Sequence, residues 1–104
     1  MQIKYFLFII ISSLLLGQSD STGAVKGRIL DADSQLPLVG ANITLKSTGI
    51  GSVSDEQGYF TIDQVPMGYY TVTISYIGHK TQSKADIWVR PNGYEFLNIK
   101  LESY

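Results

Sequence analysis

From Val25 onward the chain alternates between apolar and polar positions. Val25, Gly27 and Ile29 are separated by Lys26 and Arg28, and Ala41, Ile43 and Leu45 by Asn42 and Thr44. Phe60 and Ile62 share one side of a run whose other side is Tyr59, Thr61 and Asp63. The clearest alternation, Tyr69 to Ile77, sets Tyr70, Val72, Ile74 and Tyr76 against Thr71, Thr73 and Ser75. A short stretch from Gly51 to Ser54 precedes the Phe60 run. Two further runs follow, Gln82 to Val89 with Ala85, Ile87 and Val89 aligned, and Tyr94 to Glu102 with Leu97, Ile99 and Leu101 aligned. A period of two with one apolar side is what a strand needs when only one face of its sheet is buried. No helical period is sustained. Seven short strands divided by turn signals predict an all-β fold, a seven-strand antiparallel β-sandwich.

The turns between these runs have their own chemistry. In Asp55-Glu56-Gln57-Gly58 the aspartate can bond back to the backbone, and Gly58 can take the left-handed conformation that opens the next strand. In Val65-Pro66-Met67-Gly68, Pro66 fixes its own φ and Gly68 leaves the turn without steric cost. Pro91-Asn92-Gly93 repeats the device before the last strand. These residues steer the chain.

The first residues read differently. One cation, Lys4, is followed by an apolar run from Tyr5 to Leu16, interrupted only by Ser12 and Ser13, and Gly17 and Ser19 stand before Asp20. This is the layout of a secretory signal peptide over residues 1–19, leaving a domain at 20–104. The run is shorter than the roughly 20 residues that span a bilayer, and an uncleaved N-terminal anchor is the alternative. With no cysteine in the chain, a lipid anchor on cysteine is excluded. An exported domain without disulfides holds together by packing alone. Residues 20–104 carry seven Lys and Arg against nine Asp and Glu, a net charge near −2. That balance offers no basic face to a nucleic acid.

Candidate chemistry is sparse. His79, the one histidine, has no second histidine or cysteine to complete a metal or nucleophile site, which points to an exposed loop residue. Asp31-Ala32-Asp33-Ser34 begins like a calcium loop. Leu36 stands where that loop needs glycine, however, so a turn capped by its own aspartates is the better reading. No Gly-x-Ser-x-Gly elbow and no glycine-rich phosphate loop occurs. No catalytic, metal or cofactor residues are assigned, and no enzyme activity is expected. Strand parity places Trp88 with Lys84, Asp86 and Arg90, opposite Ile87 and Val89, on an outer surface. With Tyr59, Tyr69 and Tyr94 it could stack on sugar rings or dock another domain, or it could simply cover a sandwich rim.

Five short motifs occur in order: Gly-x-Ile-x-Asp at Gly27 to Asp31, Pro-Leu-x-Gly-Ala-x-Ile at Pro37 to Ile43 with Gly40 inside it, Asp-x-x-Gly-x-Phe at Asp55, Gly58 and Phe60, Pro-x-Gly-x-Tyr at Pro66, Gly68 and Tyr70, and Ser-x-x-Gly ending at Gly78. In this order and spacing the chain resembles the carboxypeptidase regulatory-like domain, from about Gly23 to Leu101. Members usually have tyrosine after the last glycine, where this chain has His79. The resemblance implies a transthyretin-like seven-strand sandwich without catalytic residues. It also implies two contexts. In exported metallocarboxypeptidases the domain serves as a regulatory module behind a catalytic domain. In TonB-dependent outer-membrane receptors of the Bacteroidetes type it follows the signal peptide, ahead of a plug and a β-barrel. The order here matches the second, as the front of a receptor or a standalone module. The expected place is the periplasm or outer membrane of a Gram-negative bacterium. The expected partner is another protein or the adjoining plug and barrel, with carbohydrate as an alternative, and no membrane span lies in the mature domain.

Overall fold

The computed structural model describes residues 21–104, and the expected signal peptide lies outside them. Seven strands follow in order: β1 (Thr22–Asp31), β2 (Asn42–Leu45), β3 (Gly51–Val53), β4 (Tyr59–Pro66), β5 (Gly68–Ser75), β6 (Gln82–Val89) and β7 (Tyr94–Leu101). They form a three-stranded sheet, β4-β1-β7, facing a four-stranded sheet, β3-β2-β5-β6. The expected all-β sandwich is what forms.

Alternation decides what lies between the sheets. β1 turns Val25, Gly27 and Ile29 inward; β4 contributes Phe60, Ile62 and Val65; β7 contributes Leu97, Ile99 and Leu101. They meet Ile43 and Leu45 of β2, Val72 and Ile74 of β5 and Val89 of β6, with Tyr70, Tyr76 and Ile87 packed at the margin. Each buried Val, Leu or Ile side chain stabilises the fold by about 1.5–3 kcal/mol relative to exposure. In a chain with no disulfide, this apolar layer is the principal stabiliser.

Gly27 stands at an inward position for a steric reason. A Cβ there would sit 2.4 Å from the Leu97 carbonyl oxygen and 2.5 Å from the Phe60 ring. The ring fills the space that a side chain at 27 would take. Gly58 meets both demands placed on a turn glycine, with φ at +84° and the Ile29 carbonyl oxygen 2.5 Å from its would-be Cβ.

The structure departs from the expected antiparallel arrangement in one place and from the alternation in another. The ladder between β1 and β7 is parallel, in register from Ala24 beside Tyr94 to Asp31 beside Leu101, while the other four ladders are antiparallel. The second departure is in β6. Asp86 adopts φ +60°, and the register against β5 slips between the Tyr70–Ile87 and Val72–Lys84 pairs. A bulge re-aims every side chain on one side of it. Ala85, expected to align with Ile87 and Val89, is therefore exposed, while Gln82 and Lys84 are half-buried. Lys84 does not share the Trp88 face.

Candidate functional site

The Asp31-to-Ser34 turn forms as its aspartate predicts. Asp31 Oδ2 accepts hydrogen bonds from the backbone N–H of Asp33 at 3.0 Å and of Ser34 at 2.8 Å. The Asp31 N–H donates to the Leu36 carbonyl, and Leu38 N–H to the Ile29 carbonyl. Pro37 is thereby laid beside Leu30 in an isolated bridge.

The other carboxylate oxygen of Asp31 reaches across the fold. Oδ1 accepts from His79 Nε2 at 2.6 Å, and His79 Nδ1 donates to the Ile77 carbonyl at 3.0 Å. His79 was expected in an exposed loop. Instead its side chain is 13% exposed and that of Asp31 16%, and the Tyr76 ring stands edge-on to the imidazole at 5.2 Å. Both ring nitrogens face only acceptors, so the geometry favours the form in which both carry protons. The Ile77 carbonyl, then the Asp31 carboxylate, raise the His79 pKa above its usual 6.5. The Ser34 N–H, then His79, hold the Asp31 carboxyl down at about 2.

This pair sits beside a hollow of about 430 Å3 lined by Gly40, Asn42, Tyr76, His79 and Tyr104 among others. His79 has no free nitrogen to take a substrate proton, since a general base needs a lone pair directed at that proton. Among the described residues no group of three His, Cys, Asp or Glu side chains could hold a metal ion. The arrangement ties segments together: backbone bonds from Lys80 N–H to the Glu102 carbonyl and from Tyr104 N–H to the Gly78 carbonyl join the same loop to the end of the chain.

The remaining signature residues are architectural. Asp55 Oδ1 accepts from Gln57 and Tyr59 N–H, and Gly58 N–H closes the turn on the Asp55 carbonyl. Tyr70 Oη donates to the Pro66 carbonyl at 2.6 Å, beside the Gly68 that starts β5. Gly40 and Gly78 have positive φ, +83° and +75°. Ser54, which the alternation did not single out, is buried. Its hydroxyl donates to the Leu38 carbonyl at 2.6 Å and accepts from Ala41 N–H at 2.9 Å, pinning the Pro37-to-Ala41 segment.

Two surfaces carry aromatic rings. On the four-stranded sheet, Trp88 stands directly across from Tyr69 with centroids 4.9 Å apart. Trp88 is half-buried under this contact while Tyr69 is exposed. On the outer face of the three-stranded sheet, Lys26 Nζ lies 4.6 Å from the Tyr94 ring centre and the Arg28 guanidinium 4.9 Å from that of Tyr59. The structure thus separates the four aromatics that sequence reasoning grouped with Trp88, Tyr69 on one face and Tyr59 and Tyr94 on the other.

Comparisons with known proteins agree with this geometry. The CarboxypepD_reg-like domain matches residues 25–103. The chain is 31% identical over 80 residues to TonB-dependent receptor P39 of Formosa agariphila, covering 77% of this chain and 8% of the receptor. Among solved structures, a type II cohesin–X-dockerin complex from Acetivibrio cellulolyticus contains a similar chain with a TM-score of 0.64 at 26% identity, over 74% of this chain and 52% of that one. A putative carbohydrate binding protein from Bacteroides uniformis gives a TM-score of 0.61 at 16% identity, over 80% of this chain and 42% of its own, a likeness of fold alone.

Proposed function

Because the chain belongs to the CarboxypepD_reg-like domain family, we propose that it is a non-catalytic interaction module of an exported protein, in the setting of a TonB-dependent outer-membrane receptor. Residues 1–19 act as its signal peptide, and the sandwich faces the periplasm, presenting its loops and a sheet edge to a neighbouring protein or domain. The observation that carries this reading is the 31% identity to the Formosa receptor, of which the chain spans only a small fraction. The state of the one His–Asp pair supports it, since a histidine with both nitrogens engaged is a structural tie. Among the described residues no helix is long and apolar enough to cross a membrane.

Fractionation of cells expressing the tagged natural protein tests the placement, and periplasmic or outer-membrane recovery is expected. The purified full chain, given peptide, ester and amide substrates, should produce no turnover above buffer. A rate that disappears in His79→Gln would sink the non-catalytic reading.

The Tyr69–Trp88 pair favours a second reading, a carbohydrate-binding surface. Further along the same two strands the Thr73 and Ser83 hydroxyls lie 3.3 Å apart. Glycan binding lost in Trp88→Ala would support it; a glycan array with no binding would remove it.

A further inference from the structure

The sandwich has four sheet edges, and three of them are blunted. β3 has only three residues. β4 is kinked by Gln64 at φ +54° and ends in Pro66, and β6 is bulged at Asp86. β7 runs eight residues, and its pairing with β1 has no register shift. Bulges, prolines and short length are how sheets protect an edge from pairing with another chain. β7 lacks all three.

Its backbone shows which groups are free. Gly93 and Leu101 offer their carbonyls to Ala24 and Ala32 N–H, on the β1 side. By alternation, Glu95, Leu97 and Ile99 point their backbone groups the same way, and Tyr94, Phe96, Asn98 and Lys100 point theirs outward, where the Tyr94 carbonyl already accepts from Arg90 Nη2 at 3.2 Å and the other three residues are open. The outward side is already used just past the strand, where the Glu102 carbonyl accepts from Lys80 and Tyr104 N–H donates to Gly78. There the loop after β5 lies against the chain as an antiparallel bridge at His79 and Ser103. The two segments then splay around a hollow of about 240 Å3, lined by Lys80, Gln82, Lys100 and Glu102 among others. Inside the fork Gln82 Oε1 is buried with no hydrogen-bond partner. A buried acceptor left unpaired destabilises the fold, because its lost bond to water is not replaced.

We propose that the outward edge of β7, from Tyr94 to Lys100, takes an extended strand from a separate polypeptide. The side chains beside that edge define the partner. Phe96 and Tyr94 are exposed on the outer face, where cross-strand pairing favours β-branched or aromatic neighbours. Lys100 is on the same face, as are Lys26 and Arg28, and neither ion pair among the described residues uses them. The incoming strand therefore carries a carboxylate opposite Lys100 and an apolar residue opposite Phe96. On its inner side a serine, threonine or asparagine opposite the fork supplies the donor that Gln82 lacks. This deepens the interaction-module reading and rests on it.

The test uses the full chain and a fluorescein-labelled peptide of about nine residues, alternating threonine with valine and glutamate. Saturable binding is expected, with slowed hydrogen exchange at the amides of Tyr94, Phe96, Asn98 and Lys100. Asn98→Pro removes an outward N–H and leaves the β1 ladder intact, since proline is tolerated where its missing N–H faces solvent. It should weaken binding at least about tenfold with the unfolding temperature kept. Lys100→Glu should transfer the preference to a peptide with lysine in place of glutamate. Three results overturn the proposal: binding indifferent to Asn98→Pro, protection on β4 or β6, or no binding by either peptide. Protection of the same amides by self-association, with no peptide added, overturns the assigned occupant. Each of these leaves the non-catalytic reading standing, because that reading is tested by turnover and fractionation.

Discussion

Asp31 and His79 are 48 residues apart in the chain and meet at 2.6 Å, joining the end of β1 to the loop between β5 and β6. Around this bond the Asp31 carboxylate also caps its own turn, and the His79 ring also holds the Ile77 carbonyl. One contact therefore couples a turn, a loop and the last residues of the chain.

Stability should depend on pH through both partners. The His79 pKa is raised in the folded state, so its contribution is complete below the ordinary 6.5 and is lost as pH rises through the folded value. The Asp31 pKa falls from 3.8 to about 2, so its contribution is complete above 3.8 and is lost as pH falls toward 2. Thermal unfolding followed from pH 2 to 9 should give a plateau between about 4 and 6.5 with a decline on each side. His79→Gln should flatten the alkaline decline, and an unchanged profile in that variant would contradict the assignment.

Gly27→Ala should destabilise the fold by about 3 kcal/mol, at the upper end of overpacking costs. Its Cβ meets a backbone oxygen as well as the Phe60 ring. Adding Phe60→Leu should recover only part of the loss, because the Leu97 carbonyl cannot move without breaking the β1–β7 ladder. Chemical denaturation of the unchanged protein, Gly27→Ala and the double variant checks this.

Ser54→Ala should cost about 2 kcal/mol, since it strands a buried carbonyl and a buried N–H together. Ser54→Thr keeps the hydroxyl and adds a methyl, so its loss reports space alone. Denaturation midpoints with unchanged slopes are the expected signature.

Gly58→Ala should cost at least about 1–2 kcal/mol from the left-handed backbone alone, and more from the Ile29 carbonyl beside it. Asp55→Ala should cost about 1 kcal/mol through the lost cap. Gly40→Ala, also at positive φ but with open space around its Cβ, should cost less than Gly58→Ala. Equal losses at the two glycines would show that the contact with Ile29 has no weight.

Most of this architecture was legible from alternation. Val25, Ile29, Ile43, Leu45, Val72, Ile74, Leu97, Ile99 and Leu101 all face inward as their spacing indicates, because one buried face imposes a period of two. That same period is shared by parallel and antiparallel ladders, so it cannot reveal that β7 lies parallel to β1. It also fails at β6, where Asp86 takes a positive φ that aspartate tolerates and no glycine marks the place. The Asp31–His79 bond left no local trace, since its two ends are 48 residues apart and the short-range bonds of each, to Ser34 and to Ile77, are those of an ordinary turn. Ser54 was hidden for a related reason: its partners are backbone groups of Leu38 and Ala41, delivered only by the folded chain.

The parallel pairing of the first and last strands has a mechanical consequence. Thr22 and Leu101 lie toward opposite ends of the two neighbouring strands, whose eight register pairs run side by side. Tension applied between those two points slides the strands lengthwise and loads the intervening hydrogen bonds together. A hairpin pulled from its open end would lose its bonds one after another. A domain threaded between two anchored segments would, in this arrangement, resist extension as a clamp, with Gly27 and the ring of Phe60 at its middle.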